Sequence, residues 1–404
     1  MDINEFISLA TRSDRPVSFR HRWRLLRIFK YLYGGDVVLW VDHALGGGTS
    51  VYSQAQFRKI KKTARLVRLQ YLLATDKFVI TLPNKFRDCK LKFDNLASVY
   101  DFCAQLKLVQ IVVNSVVAWR DVAGALDLVT KLKNNSKNKP YVVCNNHDFF
   151  VVCPSYNLLN CDGDFCNLKY PGGCQKCWRA KVIDPHDNIN AMFHNVCPSV
   201  RGWRTLWGNF LGNVCDCVVV FSGSSRDLIL RTYPELDPKL VVIPHTVPRL
   251  GRVKVASHSG INIAFIGQIG IHKGSLILRE MCDYLAEHSD IPVQIYALGY
   301  LTDGAPVPKN LVQTGPYKVS ELSKLIRKHR IDVVFISSIC PETFSYTTSE
   351  AMSMNVPVVC YNIGAPAERV AEYNRGLVLD HIAPVENMYE IINFVENMRN
   401  TKGM

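Results

Sequence analysis

Length, composition and charge bound what this chain can be. It has 404 residues, of which 48% are hydrophobic and 21% charged, and its formal net charge is +13. This composition is globular, and the length exceeds one typical domain core, so about two or three domains are expected. The positive excess indicates a negatively charged partner or surface.

Neither a membrane span nor a secretory leader is indicated. No uninterrupted run of about 18 apolar residues occurs, so we expect no transmembrane helix. The start, MDINEFISLATRSDRP, lacks the basic segment and apolar core of a signal peptide. We therefore expect a cytosolic protein whose 14 cysteines are reduced, buried or metal-bound rather than paired in disulfides.

Short apolar, β-rich runs alternate with stretches long enough for helices. In the first half the predicted strands are Asp36–Val41, Lys77–Leu82, Val109–Val113, Tyr141–Cys144, Val218–Phe221 and Leu240–Ile243. In the second half they are Ile261–Ile266, Val293–Leu298, Val312–Gln313, Asp332–Ile336 and Val356–Tyr361. Such alternation is typical of parallel sheets covered by helices on both faces.

The two series predict an α/β protein with two doubly wound, Rossmann-like domains. A polar connector follows Pro248 and separates them. The predicted units are a basic helical extension (1–35), a first domain (36–250) with a Cys-rich loop (153–177), and a second domain (251–404). Ligands of such sheets bind at the carboxyl ends of the strands, so we expect a site in a cleft between the halves.

Glycine-rich loops follow the first strand of each predicted domain. Gly46, Gly47 and Gly48 precede a helical pattern that begins near Val51. Their N–H groups can form an anion site, or they can simply make a tight turn. In the second half, GQIGIHKG places Lys273 beside Gly267 and Gly274, which suits a phosphate, although Lys273 could also be a solvated loop residue.

Two glutamates flank a predicted helix start in PETFSYTTSEA. Glu342 precedes the helix and Glu350 lies inside it, with Phe344 and Ser345 at its beginning. Backbone N–H groups at a helix start can hold a phosphate, and carboxylates can accept hydrogen bonds from sugar hydroxyls. The alternative is a pair of solvated acids; two glutamates together with Lys273 favour a binding site.

These motifs resemble the donor-site signature of retaining glycosyltransferases of family four, which have the GT-B fold. The resemblance rests on GQIGIHKG, on PETFSYTTSEA with seven residues between its glutamates, and on NVPVV followed by Gly364 and Glu368. DHALGGGTS and CNNHDFFVVCP resemble the acceptor-side glycine loop and the segment with an active-site histidine. The resemblance spans roughly residues 36 to 395.

The resemblance implies a role for each matching residue. Lys273 would neutralise the nucleotide diphosphate, Glu350 would hold the ribose, and Glu342 would contact the donor sugar. N–H groups around Phe344 and Ser345 would bind a phosphate oxygen, and His147 would face the donor sugar. The predicted site residues are therefore His147 and Glu342 for catalysis, Gly267, Lys273, Gly274, Phe344, Ser345 and Glu350 for the donor, and Gly46, Gly47 and Gly48 for the acceptor or phosphate loop.

Three positions limit this interpretation. Gln268 stands where many family members have an arginine that shares the diphosphate with the lysine, and His245-Thr246 replaces the usual Asn-Gly turn. His147, taken without the resemblance, could be a strand-end residue whose polar atoms bond the backbone. No metal or other cofactor is implied for catalysis, because Lys273 and helix N–H groups can carry the charge.

A cysteine cluster follows His147 and admits two interpretations. Cys153, Cys161, Cys166, Cys174 and Cys177 lie close in sequence, and Cys174 and Cys177 have the two-residue spacing of metal ligands. The resemblance implies Cys153, Cys166, Cys174 and Cys177 as ligands of a structural zinc, with Cys161 as the spare. The alternative is a loop of free thiols.

The segment 18–33 is basic and aromatic. With Trp23, Leu26 and Phe29 at helical spacing, it can lie on an anionic membrane surface or pack on the domain with its arginines outside.

The resemblance implies a hexosyltransferase that acts with retention of configuration. Its donor would be a nucleotide-diphosphate sugar. Its acceptor would be a glycan or lipid-linked glycan, as in polysaccharide, O-antigen, capsule or lipopolysaccharide biosynthesis at the inner face of a membrane. The alternatives are an inactive scaffold or glycan-binding subunit of the same fold, or a nucleotide-sugar epimerase. Nucleic acid is not an expected partner, since only the charge supports it and no recognised motif does.

Overall fold

The computed structural model describes residues 26, 28–82, 88–169, 173–180 and 197–401. The chain divides into two compact units. The first comprises Met1–Tyr156, Pro171–Val220 and Leu228–Ile243, and the second comprises Asn157–Tyr170, Phe221–Asp227 and Pro244–Met404. The main segment of the second unit thus begins seven residues before the predicted start at 251, and the unit also includes two short segments from the first half.

An eight-stranded sheet forms the centre of the first unit. Its strands are β1 (Val37–Asp42), β2 (Arg65–Leu72), β3 (Lys77–Leu82), β4 (Cys89–Phe93), β5 (Leu108–Val113), β6 (Tyr141–Asn145), β7 (Cys217–Val220) and β8 (Leu240–Val242). Their order is β4-β3-β2-β1-β5-β6-β7-β8. The strands from β2 to β8 in this order are parallel, which confirms the predicted parallel character.

One edge of this sheet differs from the prediction. β3 pairs antiparallel with β2, and β4 pairs antiparallel with β3. The run Lys77–Leu82 was correctly predicted as a strand, but the expected parallel direction was wrong for it. The short β2 to β3 connection explains the direction, since parallel neighbours need a crossover of a dozen or more residues.

Three helices of the first half begin at side-chain caps. The labelled helices of this half are α1 (Gly47–Ile60), α2 (Leu96–Cys103), α3 (Val122–Asn135), α4 (Gly173–Ala180), α5 (Val200–Asn213) and α6 (Gly223–Leu230), with a 3-10 segment at Pro234–Lys239. The side chains of Asn95, Asp121 and Ser199 accept hydrogen bonds from backbone N–H groups in the first turns of α2, α3 and α5. Such caps satisfy donors that have no partner within the helix.

The second unit has a six-stranded, wholly parallel sheet. Its strands are β9 (Ile261–Ile269), β10 (Val293–Leu301), β11 (Val312–Gln313), β12 (Val333–Ile336), β13 (Val358–Tyr361) and β14 (Gly376–Leu379), in the order β11-β10-β9-β12-β13-β14. Its helices are α7 (Ser275–Glu287), α8 (Leu322–Lys328), α9 (Tyr346–Ser353), α10 (Gly364–Ala371) and α11 (Pro384–Thr401), with 3-10 segments at Ile271–Lys273 and Val319–Glu321.

Apolar layers cover both faces of this second sheet. Ile263 and Phe265 of β9 pack in one cluster with residues of α7 and α11. Ala264, between them, belongs to the opposite cluster with residues of α8 and α10. Successive side chains of a strand point to opposite faces, so a sheet buried on both faces requires a continuous apolar strand.

The basic N-terminal segment lies largely outside the described residues. Residues 28–33 are helical, with Ile28 and Leu32 buried and Lys30 exposed. This part packs on the first unit, as the domain-packing interpretation expects. Trp23 and the arginines before residue 26 are not described. Among the described residues, no helix combines the length and apolar character that crossing a bilayer requires.

Candidate donor site

A cavity of about 280 Å³ lies in the second unit at the carboxyl ends of β9 and β12. Strand ends at this edge of a parallel sheet are the usual place for a ligand. The polar residues lining the cavity are Gln268, His272, Lys273, Thr302, Ser337, Ser338, Glu342 and Thr347. Gly267, predicted as a donor-site residue, also lines it and has a φ of 101°.

The loop after β9 fixes Lys273 at the cavity. The 3-10 segment Ile271–Lys273 ends at Gly274, whose φ is +84°. A Cβ added at Gly274 would lie 2.3 Å from Ser337 Oγ, so glycine is required there for space as well as for conformation. Ser337 Oγ also donates a hydrogen bond of 2.8 Å to the Lys273 carbonyl, which ties the loop to the end of β12.

Lys273 and Glu342 form an ion pair in the cavity. Lys273 Nζ lies 2.7 Å from Glu342 Oε2, with the lysine side chain 33% exposed and the glutamate side chain 12% exposed. Burial alone would raise the pKa of Glu342, but the charge and hydrogen bond of Lys273, with hydrogen bonds from Ser338 and Ser345, lower it overall. Glu342 is therefore ionised at neutral pH, and it holds the lysine that the sequence assigns to the diphosphate.

Two residues with positive φ, Ser345 and Gly364, lie close to the backbone of Glu342. Ser345 is not glycine, yet its φ is +62°, a region that costs free energy for residues with a side chain. Its Oγ accepts hydrogen bonds from Thr348 at the start of α9. Gly364 has a φ of +66°, and a Cβ there would come within 2.8 Å of Glu342 N. α10 therefore packs directly on the backbone that carries Glu342.

Glu350 has a different environment from Glu342. It lies in α9, is 5% exposed, and is not among the residues lining the cavity. Burial raises its pKa. Phe344 and Ser345, the other predicted donor residues of this segment, are also buried. The structure thus brings Lys273, Gly267 and Glu342 to one cavity, whereas Glu350 does not line it.

His245 occupies the position of the usual Asn-Gly turn and contacts the helix start. Its Nδ1 lies 2.7 Å from Tyr346 Oη, and its ring stacks on Phe344 with centroids 4.6 Å apart. Burial, with the charge of Arg369, lowers the pKa of His245 to about 4. The ring is therefore neutral at physiological pH, and it packs as an aromatic side chain against the segment before α9.

Gln268 forms its own contact at the cavity. Its Nε2 donates a hydrogen bond of 2.6 Å to Tyr300 Oη, on the neighbouring strand β10. The amide supplies no charge where the resemblance predicts an arginine.

His147 belongs to a buried polar network in the first unit. His147 Nε2 lies 2.9 Å from Asn114 Oδ1, while Asn114 Nδ2 donates to Asp42 Oδ1 at 3.2 Å. Because Oδ1 of Asn114 is an acceptor in this arrangement, His147 Nε2 carries the proton. The network lies at the carboxyl ends of β1, β5 and β6, where the fold predicts a site.

Asp42 is the centre of this network, and sequence reasoning did not single it out. It is 1% exposed and accepts hydrogen bonds from Trp40 Nε1, Ser53 Oγ and His43 N. A buried carboxylate needs such donors to offset its loss of hydration. Its position as the last residue of β1 was the available signal, but partners as distant as Asn114 cannot be identified from local sequence.

The glycine loop forms the start of a helix earlier than predicted. α1 begins at Gly47 rather than near Val51, so Gly47 and Gly48 lie in its first turn. Gly46 and Gly47 have φ values of 87° and 74°, and neither would meet an atom within 4 Å if it carried a Cβ. Glycine is therefore needed here for backbone conformation, and the helix start has no side-chain cap.

The four predicted zinc ligands are all among the described residues. Cys174 is exposed, and Cys153, Cys166 and Cys177 are half-buried. Within the described part of the chain, no three His, Cys, Asp or Glu side chains are grouped closely enough to hold a metal ion. The structure therefore does not assemble the predicted thiolate site, and the zinc prediction rests on the sequence alone.

Arg369 contacts the segment around the start of α9, and sequence reasoning did not single it out. It lies in α10, and its guanidinium donates to the carbonyls of Phe344 and Ser345 and to Ser349 Oγ. The contacts join residues far apart in the chain, so no local motif marks them. A basic residue directly after Glu368 was the signal available.

Comparison with known proteins shows a family to which the part of the chain containing this site is similar. Residues 253–402 match the family described as glycosyl transferases group 1. The cavity, the loop carrying Lys273 and both glutamates of the motif all lie within that range. This part of the chain is thus similar to glycosyl transferases group 1, in agreement with the resemblance noted in the sequence. No curated protein sequence matches the chain.

Solved structures of glycosyltransferases share the fold. HepE of Anabaena in complex with UDP-glucose is 14% identical, with 90% of each chain covered and a TM-score of 0.52. Sucrose-phosphate synthase of Thermosynechococcus elongatus is 13% identical, with 90% of each chain covered and a TM-score of 0.57. The lipopolysaccharide outer core galactosyltransferase WaaB, in its apo form, is 9% identical over 90% of this chain and 91% of that one, with a TM-score of 0.53. At such identities the likeness shows the fold alone, and it confirms the predicted two-domain GT-B class.

Proposed function

We propose that the chain is a retaining glycosyltransferase that takes a sugar from a nucleotide-diphosphate donor. The observation that carries the proposal is the Lys273–Glu342 ion pair in a cavity at the strand ends of the part of the chain that is similar to glycosyl transferases group 1. The UDP-glucose bound to the structural neighbour HepE supports a nucleotide sugar as donor. The acceptor we propose is a glycan or lipid-linked glycan.

The site chemistry follows from the residues present. Departure of the nucleoside diphosphate leaves negative charge on the phosphate oxygens, and donors already in place stabilise such charge best. Lys273 exchanges the Glu342 carboxylate for the diphosphate, and the start of α9 provides backbone donors. Glu342, released from the lysine, is then an acceptor for hydroxyls of the donor sugar. We propose that His147 contributes to the sugar site from the first unit, as the resemblance implies.

The first experiment is a thermal-shift screen of nucleotide sugars, since a ligand of the folded state raises the melting temperature. The best donor is then titrated into the wild type and Glu350→Ala by calorimetry. If Glu350 holds the ribose, the variant binds the nucleotide more weakly but binds inorganic pyrophosphate as the wild type does. Absence of binding by any common nucleoside diphosphate contradicts the proposal.

One observation favours a second candidate, a glycan-binding or scaffold subunit without activity. Gln268 is uncharged and its amide donates a hydrogen bond to Tyr300 Oη, so the cavity has fewer cations than the resemblance predicts. This candidate predicts binding of a nucleotide sugar without release of nucleoside diphosphate. Measuring that release in the presence of glycan acceptors separates the two candidates.

A further inference from the structure

The donor cavity has a shortage of positive charge at its surface. Lys273 is the only lysine or arginine among the described residues that line it. Gln268 donates to Tyr300 Oη and adds no charge. A diphosphate carries more negative charge than one ammonium group offsets, so backbone N–H groups near the cavity, and any cation that strengthens them, add to its stabilisation.

Arg369 is a half-buried cation that contacts the segment between Glu342 and Thr347, two residues that line this cavity. Its Nη2 donates to the carbonyl of Phe344 and, at 2.9 Å, to the carbonyl of Ser345. Its Cζ lies 4.6 Å from the centroid of the Phe344 ring. Arg369 forms no ion pair with any carboxylate among the residues that the structure describes, so its charge is not cancelled by direct contact with an acid.

The partial burial of the Arg369 charge is opposed by nearby acidic groups. Burial lowers the pKa of the guanidinium, while the nearby charges of Glu342 and Glu368 oppose this shift. Desolvating a cation is costly unless nearby groups offset it, and here neutral carbonyls supply most of the direct contacts. The influence of Arg369 on Glu342 also places its charge within electrostatic range of the Lys273–Glu342 pair.

Two peptide groups link Arg369 to the start of α9. The carbonyl of Phe344 shares a peptide group with Ser345 N–H, and the carbonyl of Ser345 shares one with Tyr346 N–H. A cation bound to a carbonyl oxygen polarises the N–H of the same peptide group, and hydrogen bonds in series strengthen one another. These are the N–H groups that the sequence assigns to a phosphate oxygen. The same contacts hold Ser345 at its positive φ.

We propose that Arg369 is a positioning residue and the second cation of the diphosphate site, acting through the peptide groups of Phe344 and Ser345. The proposal rests on the proposed function, because it requires a diphosphate in this cavity. In this arrangement Lys273 contacts the diphosphate directly, and Arg369 increases the donor strength of the backbone that faces it. Arg369 thereby compensates for the arginine that the resemblance predicts at position 268.

The test uses inorganic pyrophosphate as the probe, titrated by calorimetry into the full chain. Arg369→Met removes the charge and keeps a stem of similar length. We expect binding to weaken about tenfold, or about 1.4 kcal/mol, because the N–H groups that face the diphosphate lose the polarisation by the cation. Arg369→Lys keeps the charge without the planar fork, and we expect its affinity within about threefold of the wild type. Arg375→Met, which removes a cation that pairs with no described acid, is the matched control and should bind as the wild type does.

The outcomes separate this inference from the proposed function. If Arg369→Met binds pyrophosphate as tightly as the wild type, or if Arg369→Lys is as weak as Arg369→Met, the charge of Arg369 does not act on the site and the inference is wrong. If the wild type itself does not bind pyrophosphate, the diphosphate site fails and the inference fails with it. Should Arg369→Met not fold, Arg369→Gln replaces it, because the glutamine amide can still donate to a carbonyl and support the loop. Since glutamine carries no charge, we again expect pyrophosphate binding to weaken about tenfold.

Discussion

The ion pair between Lys273 and Glu342 predicts opposite effects of two single substitutions on ligand binding. In the unliganded protein each side chain neutralises the other at 2.7 Å. Lys273→Gln removes the cation that binds the diphosphate. Glu342→Gln removes the carboxylate that competes with the diphosphate for that cation. The two variants should therefore lie on opposite sides of the wild type in diphosphate affinity.

The effect on stability follows from the exposure of each partner. Lys273→Gln leaves Glu342, 12% exposed, without its counter-charge, so we expect the free energy of unfolding to fall by about 2–3 kcal/mol, below the cost of breaking a fully buried pair. Glu342→Gln leaves Lys273, which is 33% exposed and better solvated, so we expect a loss of only about 1 kcal/mol. Both variants are thus less stable than the wild type without ligand, and Lys273→Gln is the less stable of the two.

The dependence of stability on pH gives an independent check on the pair. The pKa of Glu342 is lowered in the folded protein, so its contribution is present at neutral pH and is lost as the pH falls below the unfolded value of about 4.3. In Lys273→Gln, burial prevails and the pKa of Glu342 rises. That variant should instead lose stability as the pH rises above about 4.3.

Urea denaturation and calorimetric titration with pyrophosphate measure these effects. We expect Lys273→Gln to bind about tenfold or more weakly, and Glu342→Gln to bind about threefold more tightly while its turnover falls. Lys324→Gln removes an exposed lysine of α8 and is the control for net charge. The reasoning is refuted if Lys273→Gln and Glu342→Gln change pyrophosphate affinity in the same direction.

Four further predictions follow from other parts of the chain. The hydrogen bonds of Arg279 lower the pKa of Asp303 to about 2. Asp303→Asn should therefore lower the free energy of unfolding by about 2 kcal/mol at pH 7, and this difference from the wild type should shrink as the pH falls from 4 to 2. A difference that does not change with pH contradicts the ion pair. His147→Ala should lower turnover about a hundredfold and leave pyrophosphate affinity unchanged in calorimetry, and normal turnover would remove His147 from the site. Metal analysis of protein purified without added zinc should find about one zinc per chain if the sequence prediction holds, whereas a folded, metal-free protein with titratable thiols in the loop excludes it. Sedimentation with anionic vesicles should show salt-sensitive binding of the whole chain that is lost without residues 1–33, because each basic residue near such a surface contributes about 1 kcal/mol; equal partitioning at low salt would contradict this.

Much of the fold could be predicted because continuous apolar strands carry a strong signal. β1 is buried along its whole length, and the prediction placed it within one residue. β2 was missed because Arg65 and Arg68 interrupt its apolar pattern, although the strand lies inside the sheet. β14 was missed because it has only four residues and begins with a glycine, a pattern that local sequence does not distinguish from a loop. Short or charge-interrupted strands gain their stability from neighbours, which local sequence does not show.

The same distinction between local and tertiary signals applies to the residues of the candidate site. Lys273 and Glu342 could be predicted because each follows a strand end directly, and such ends meet at one edge of a parallel sheet. Arg369 and Asp42 could not, because their partners lie far away in sequence and their burial depends on tertiary packing. Motifs reveal residues that the chain places by local geometry, while positioning residues emerge only when the packing is known.

The central claim is that this cavity transfers a sugar from a nucleotide-diphosphate donor with retention of configuration. Its most direct test is to incubate the protein with the donor found in the thermal-shift screen and a set of glycan acceptors, and to determine the anomeric configuration of the product by NMR. We predict release of nucleoside diphosphate that depends on Lys273 and a product with the same anomeric configuration as the donor. An inverted product, or donor binding without release of nucleoside diphosphate, would contradict the account.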